Sequence, residues 1–328
     1  MAIVNSPDHV LVVGDTTADL HPAAALSPGS ELQWFPGGTA TNVARGLALF
    51  DTPPALATRV GTDPFGRAVR TRLTSLGIDT TRCVTDPRPT PLTMPDPTDD
   101  RPGDTWTAWV RDTCYGVTLP DPVDAVETAD LVHCSGTVLP PAVNQATVTE
   151  TIAATQSQNV ALSFDLNGRH NQWESAASYR DALTAPLAAS SVVFASEHDL
   201  TVAGREPTLA GLKTLFPDPP SALVVLTQGA DGATAARFTD GAITTQASHP
   251  GFSVDVAGTA GAGDAVTAAV LALLQAGVTA LGQLLAVGTA AGAATTASAG
   301  PVRPADRNRM ARLLAEWPTA WAGDGPSV

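Results

Sequence analysis

The chain reads as an α/β protein built on a parallel sheet covered by helices. Three observations carry this reading. Short apolar runs recur, each followed by a segment of helical spacing, most regularly from Ala129 onward. Long alanine-rich stretches at 263–276, 280–296 and 304–314 fill the C-terminal third. Between residues 80 and 118 the composition shifts toward Pro and Asp, with one alternating stretch, as expected of a separate small β unit. Strand–helix alternation is the pattern of parallel sheets with helices on their faces.

Residues 9–14 form an uninterrupted apolar run and read as a buried first strand, with Asp15 and Asp19 just beyond it. Strand ends of open α/β sheets are where ligands bind. Residues 31–35 alternate and predict a short strand, which the tight turn at Gly37 and Gly38 closes. Helices follow at 39–50 and 65–76, the second stopping at Gly77, a C-cap position. Residues 105–110 alternate as an exposed strand beside a Pro/Asp-rich loop. Strands are then predicted at 130–135, 159–164, 191–194 and 221–227, with helices at 142–155, 179–189 and 208–216 between them. Two short strands flank the Asp240–Gly241 turn. No internal repeat stands out.

Composition bounds the partners. The 328 residues carry 32 acidic and 18 basic side chains, a formal charge of −14, and the only lysine is Lys213. No basic stripe is present, so nucleic acid is disfavoured as a partner. A few arginines and backbone N–H groups suffice to hold a small anion. The acidic, lysine-poor balance fits a high-GC genome and a salt-adapted cytoplasm, where salt screens self-repulsion. Cys83, Cys114 and Cys134 have no close pairing and suggest neither a disulfide framework nor a zinc site. The apolar stretches are short for a membrane span, and the N-terminal residues lack the pattern of a signal peptide. A cytoplasmic protein is expected.

The segment with most chemical content is Gly258-Thr-Ala-Gly261-Ala262-Gly263-Asp264, immediately before an apolar helical run. Glycines let backbone N–H groups approach an anion, and a helix start adds free N–H groups and a favourable dipole. A carboxylate beside that nest is suited to take a proton from a hydroxyl attacking a phosphate. The same residues also suit a glycine turn with Asp264 as a helix cap. Asp15, Asp19, Gly37, Gly38 and Asn42 form a second cluster, with hydrogen-bonding groups of the kind a polyol requires. Asp165, Asn167 and Arg169 follow a predicted strand, where Arg169 can reach a phosphate or the sugar, or an Asx turn forms instead. Thr227, Gly229 and Gly232 make a strand-to-glycine turn that fits the border of a nucleotide or a hairpin. Ser196 and Asp199 end another strand, where acidic groups can organise water around Mg²⁺.

Taken together, these segments resemble the ribokinase-like (PfkB) carbohydrate kinase family. The likeness runs from about Val10 to Arg303. Its first signature is Gly37-Gly38-Thr-Ala-Thr-Asn42, continuing to Gly61-Thr-Asp-Pro-Phe-Gly66, and its second is Gly258 through Asp264. The resemblance implies a three-layer sandwich forming one kinase domain over 1–328, with a lid from about 16–36 and 80–118. It implies ATP-dependent phosphorylation of a sugar hydroxyl with Asp264 as base and the N–H groups of Gly261, Ala262 and Gly263 as anion hole. The sugar would be held by Asp15, Asp19, Gly37, Gly38 and Asn42. ATP would lie along Ser196, Thr227, Gly229 and Gly232, with Ala290, Ala291 and Ala294 lining the adenine side. Mg²⁺ would bridge the phosphates, with Asp199 on the metal side.

Within that family the motifs Asp165-x-Asn167-x-Arg169 and Trp109-x-Arg111 are similar to the fructokinase and 2-keto-3-deoxygluconate kinase branches. A sugar or sugar acid is therefore the expected small-molecule partner, with Arg111 reaching it from the lid. Ribose or a nucleoside remains as an alternative substrate, and a non-catalytic sugar- or nucleotide-binding regulator as an alternative function. The chain departs from the family at Gly258, where an Asp usually helps shape a monovalent-cation site, which leaves K⁺ activation open. The family's N-x-x-E element is altered to Ser196-x-x-Asp199, and Val266 stands where an aromatic residue is usual. The lid also offers a face for homodimerisation.

Overall fold

A computed structural model describes residues 9–317 except 23, 97–105, 141, 299 and 301. In chain order the first half contains β1 (Val10–Val13), β2 (Thr17–Pro22), β3 (Leu32–Gly37), α1 (Thr39–Leu49), β4 (Ala55–Gly61), α2 (Pro64–Ser75), β5 (Cys83–Asp86), β6 (Leu92–Pro95), β7 (Trp106–Trp109), α3 (Pro122–Glu127) and β8 (Leu131–Ser135). The second half contains α4 (Ala142–Gln158), β9 (Ala161–Asp165), α5 (Ala176–Ala189), β10 (Val192–Ser196), α6 (Glu197–Val202), α7 (Leu209–Lys213), β11 (Leu223–Thr227), β12 (Ala233–Thr239), β13 (Ala242–His249), α8 (Ala262–Gln275), α9 (Leu281–Thr296) and α10 (Pro304–Glu316).

Among the described residues a nine-stranded sheet runs β13-β12-β11-β10-β9-β8-β1-β4-β5. Its strands are parallel from β11 to β5, and the β12–β13 hairpin closes one edge antiparallel. Alternation along each strand divides the apolar side chains between two faces. Leu11, Val13, Val132, Phe164 and Val193 pack with Ile152 of α4 and Leu183 of α5. Val10, Val12, Leu131, Phe194 and Val225 face the other way, onto Leu47 of α1, Leu73 of α2, Val270 of α8 and Leu284 of α9. Each fully buried leucine of this kind contributes roughly 1.5–3 kcal/mol. The result is a three-layer α/β sandwich.

Two small-residue contacts set the helix spacing near the site. A Cβ on Gly46 of α1 would overlap the methyl of Ala268 in α8, so these helices approach more closely than any larger residue allows. A Cβ built on Gly292 of α9 would lie 3.0 Å from Val266 Cγ2, which brings α9 equally close to α8. Helix starts are locally encoded. Asp63 accepts from the N–H groups of Phe65 and Gly66, with Pro64 in the first turn of α2.

A second sheet, in the order β3-β2-β6-β7, stands off the main one. Its strands lie in the two stretches from which a small β unit is expected, with one difference. Cys83–Asp86, inside the expected lid range, instead pairs in parallel with β4 and extends the main sheet. Its Cys83 side chain is buried in the core, which explains the placement. Strand β4 was not evident from the sequence, because Ala, Thr and Arg interrupt its apolar residues. The Pro/Asp-rich loop before β7 falls on 97–105, outside the described residues.

Candidate active site

The site forms where β1, β8 and β9 end and β2 begins, near the starts of α1 and α8. Gly261 takes the left-handed conformation at φ 74° and lets α8 begin abruptly after the preceding loop. Ala262 N–H donates to Thr259 O, so this one expected anion-hole donor is occupied within the turn. The N–H groups of Gly261, Gly263 and Asp264 have no backbone acceptor among the described residues. A Cβ on Gly263 would meet nothing within 4 Å, so the approach to this helix start is open. Free N–H groups with the positive end of a helix dipole suit an anion.

Asp264 sits in the first turn of α8 and is 7% exposed. Asn42 Nδ2 of α1 donates to its Oδ2 at 2.8 Å. Burial pushes the Asp264 carboxyl up to about 7; the Asn42 hydrogen bond and Arg169 oppose this, while Asp15 and Asp19 reinforce it. A carboxyl balanced near neutrality is suited to accept a proton. Among the described residues Asn42 Oδ1 is buried without a hydrogen-bond partner.

The residues expected on the sugar side converge on the same place. Asp15 Oδ1 accepts from Thr39 Oγ1 at 2.8 Å and from Thr137 Oγ1 at 2.9 Å. Ser135 Oγ is hydrogen-bonded to both threonine hydroxyls, which fixes the set. Asp19 lies within β2 rather than in a loop beyond β1, and is 6% exposed. Its Oδ1 accepts from Thr17 and Thr93 hydroxyls at 2.5 Å each. Burial raises its carboxyl to about 6, with those two hydrogen bonds opposing. Gly37 is required beside it, because a Cβ there would overlap the Asp19 carboxylate. Gly38 is required for another reason: its φ is 92°, and a Cβ would lie 2.6 Å from Asp15 O.

Asp165, at the end of β9, is buried and its carboxyl is held well above the usual range by desolvation, then by the Asp199 and Asp264 carboxylates. Arg169 is the nearby cation opposing this shift. Asn167, in the left-handed region at φ 44°, accepts from Arg169 Nη2 at 3.5 Å. Arg111 lies exposed after β7, with no hydrogen-bond partner among the described residues. Sequence reasoning missed Thr39, Thr93, Thr137 and Tyr115. Tyr115 donates to Thr137 O at 3.0 Å and so backs the Asp15 pocket.

The nucleotide-side residues divide. Gly229 and Gly232 form the turn after Thr227, with φ of 58° and 87°. Thr227 Oγ1 contacts Ala195 O at 3.4 Å. Asp199, expected on the metal side, is hydrogen-bonded through both carboxylate oxygens. One oxygen accepts from Ser196 N and Ser196 Oγ, both at 2.7 Å, and the other from Gly168 N at 2.6 Å. With Ser196 Oγ accepting from Asp199 N, this is a capping box that starts α6. Among the described residues, no group of three His, Cys, Asp or Glu side chains is placed to hold a metal. Ala290 is fully buried, while Ala291 and Ala294 line a small cavity with Leu49, Phe50 and Met310, so these alanines pack inward.

Comparison with known proteins gives a consistent result. The sequence profile described as pfkB family carbohydrate kinase matches residues 7–308. A fructokinase of Klebsiella pneumoniae is 30% identical over 298 residues, 89% of this chain and 94% of that protein. A 2-dehydro-3-deoxygalactonokinase of Haloferax volcanii is 29% identical over 281 residues, covering 82% of this chain and 85% of that one. Among solved structures, Vibrio cholerae fructokinase with fructose, ADP and calcium ion superposes with a TM-score of 0.78 at 24% identity, covering 93% of this chain and 98% of that one. A Pyrococcus horikoshii sugar kinase in complex with ATP gives 0.76 at 22% identity, covering 93% and 99%. These structural likenesses establish the fold.

Proposed function

For a chain that belongs to the pfkB family of carbohydrate kinases, we propose ATP-dependent phosphorylation of a sugar hydroxyl, with fructose as the substrate. The observation that carries the reading is Asp264, buried at an anion-receptive helix start and hydrogen-bonded to Asn42 at 2.8 Å. The sugar hydroxyl gives its proton to Asp264 as its oxygen bonds to the γ-phosphorus of ATP. The bond to the β–γ bridging oxygen breaks and ADP leaves. The free N–H groups at the start of α8 face the charge of the transferring phosphoryl, where preorganised donors act most strongly. Mg²⁺ comes with ATP as its co-substrate complex and neutralises phosphate charge. An ATP-dependent reaction fits the cytoplasm expected from the sequence.

Charge favours a neutral sugar over a sugar acid. Asp15, Asp19, Asp165 and Asp264 are all buried around the site. Arg169 is the cation that acts on both Asp165 and Asp264. Even with the Asp165 and Asp264 carboxyls raised by burial, one arginine shared among them leaves little positive charge to pair with a substrate carboxylate. The fructokinase relative supports the same choice. The Haloferax relative supports a 2-keto-3-deoxy sugar acid as the second reading, with Arg169 as its anchor. MgATP turnover against fructose, 2-keto-3-deoxygluconate, ribose, glucose and adenosine, at low and high KCl, decides between them. Fructose turnover supports the proposal; turnover of the sugar acid alone replaces it with the second reading. No turnover of any of them, with ATP bound, points to the regulator alternative.

The lid supports a homodimer. Register places Leu20 opposite Trp34 and Leu92 opposite Trp109 on its outer face, with Asp19 and Thr93 on the inner one. Leu32, Trp34 and Trp109 are 41%, 37% and 48% exposed. An apolar sheet face with such exposure is suited to a second copy of itself.

A further inference from the structure

Arg45 is a cation in an unusual position. It lies on α1, one turn beyond Asn42, and is 7% exposed. Its Nη1 donates to Pro36 O at 2.9 Å, at the point where lid strand β3 runs into the Gly37–Gly38 turn. Its Nη2 donates to Val302 O at 2.9 Å, in the segment between α9 and α10. Among the described residues no carboxylate lies within salt-bridge distance of it, although Asp19 and Asp306 act on it from further away, and its Nε is buried without a hydrogen-bond partner. Taking a guanidinium out of water is costly without full hydrogen bonding, so an apolar residue here would be cheaper for stability alone.

The two carbonyls belong to two different segments that meet beside the site, Pro36 O in β3 and Val302 O between α9 and α10. Pro36 is paired with Ala18 in β2, the strand that carries Asp19. The segment holding Val302 is packed on the same lid strand. Arg303 lies over the Phe35 ring at 5.3 Å, and a Cβ on Gly300 would lie 3.0 Å from that ring. Beyond this segment, Ser298 Oγ donates to Asp306 Oδ1 of α10. The end of α9 then holds the loop before the α8 nest: Thr296 O accepts from Ala257 N at 2.8 Å and Gly258 N at 3.2 Å. One guanidinium therefore holds the sugar-side strand and the segment leading to the phosphate-side loop.

We propose that Arg45 is a positioning residue through which sugar and nucleotide reinforce each other's binding. It touches neither ligand. It fixes the height of the β2–β3 pair, and so of Asp19, relative to the segment that holds the Gly258–Asp264 loop. Binding on one side thus orders the contact that the other side uses. Linkage makes this reciprocal: each ligand tightens the other by the same factor.

The inference rests on the kinase reading, and its test separates the two. The affinity for fructose is measured by calorimetry with and without saturating Mg²⁺ and a non-hydrolysable ATP analogue, in the wild type, Arg45→Met and Arg303→Ala. The wild type is expected to bind fructose at least about fivefold tighter with the analogue present. In Arg45→Met the ratio falls to about one, and in Arg303→Ala it falls partway. A merely structural role would weaken both bindings and leave the ratio unchanged, and that result overturns the proposal. If Arg45→Met does not fold, a wild-type ratio in Arg303→Ala overturns it equally. A wild type that turns over fructose without mutual tightening also removes it while leaving the kinase reading intact. A wild type with no sugar turnover at all defeats the kinase reading first.

Discussion

Asn42 Nδ2 on α1 donates to Asp264 Oδ2 on α8 at 2.8 Å, joining positions 222 residues apart in the chain. The bond places the proposed base at the junction of the two segments that resemble family signatures. It also restrains the rise of the Asp264 carboxyl that burial imposes.

Replacing the base tests the chemistry most directly. Asp264→Asn keeps the size and a hydrogen-bond acceptor toward Asn42 but cannot take a proton. Turnover is expected to fall by about 10²–10⁴ or more. Nucleotide binding, followed by calorimetry, stays within a fewfold of wild type. A rate within tenfold of wild type removes Asp264 as the base.

The pH profile follows from the same carboxyl. Asp264 must be ionised to act, and its folded value is about 7, so kcat/KM is expected to decline below about pH 7. Asn42 lowers that value, so Asn42→Ala is expected to move the acid limb to higher pH. A limb that moves to lower pH contradicts the assigned role of the bond.

Stability carries the opposite sign. The Asp264 carboxyl is raised from 3.8 unfolded to about 7 folded, so the folded chain holds the proton more tightly. Its contribution to stability is fully present below about pH 3.8 and is lost as pH rises through 7. Asp264→Asn carries no such charge. Its Tm is expected to exceed that of the wild type at pH 8, with the gap narrowing toward pH 5. Calorimetric scans at both values measure the difference.

Gly37 has no space for a methyl group beside Asp19. Gly37→Ala is expected to displace the Asp19 carboxylate or the β2–β3 pair, at a cost of about 1–3 kcal/mol from overpacking. The sugar KM should rise more than the ATP KM. Equal changes in both would place the damage elsewhere.

The outer lid face supplies a test of assembly. Trp109 is 48% exposed on edge strand β7, and a carboxylate there would place a charge in the proposed contact. Trp109→Glu is expected to shift the protein from dimer to monomer in analytical ultracentrifugation, with the Asp264 site unaltered. A wild-type monomer at micromolar concentration dismisses the interface.

Much of the main sheet was legible because its strands are short apolar runs: Val10–Val13, Leu131–Ser135 and Leu223–Thr227 follow from that pattern alone. The lid was legible in outline only. Strand β2 alternates, with Ala18, Leu20 and Pro22 against Thr17, Asp19 and His21, but the pattern is short and weakly apolar, and its position depends on pairing with β3 and β6. Asp264, Asn42 and the glycines stood out through their spacing. Thr39, Thr93 and Thr137 did not, because a hydroxyl aimed at a carboxylate leaves no sequence pattern. Asp199 carries a local signal that the sequence analysis did not use. Ser196-x-x-Asp199 is itself a capping-box sequence, and the local reading accounts for both carboxylate oxygens.

The separation of Asn42 from Asp264 has a consequence for synthesis. A ribosome adding about 5–20 residues per second reaches Asp264 roughly 10–45 s after Asn42. During that interval the nascent chain holds Asp15, Asp19 and Asn42 but lacks the proposed base and its glycine nest. A truncated or stalled product ending before α8 is therefore inert toward ATP on this mechanism. On this mechanism unfinished copies consume no nucleotide, because chemistry begins only when the last fifth of the chain has docked.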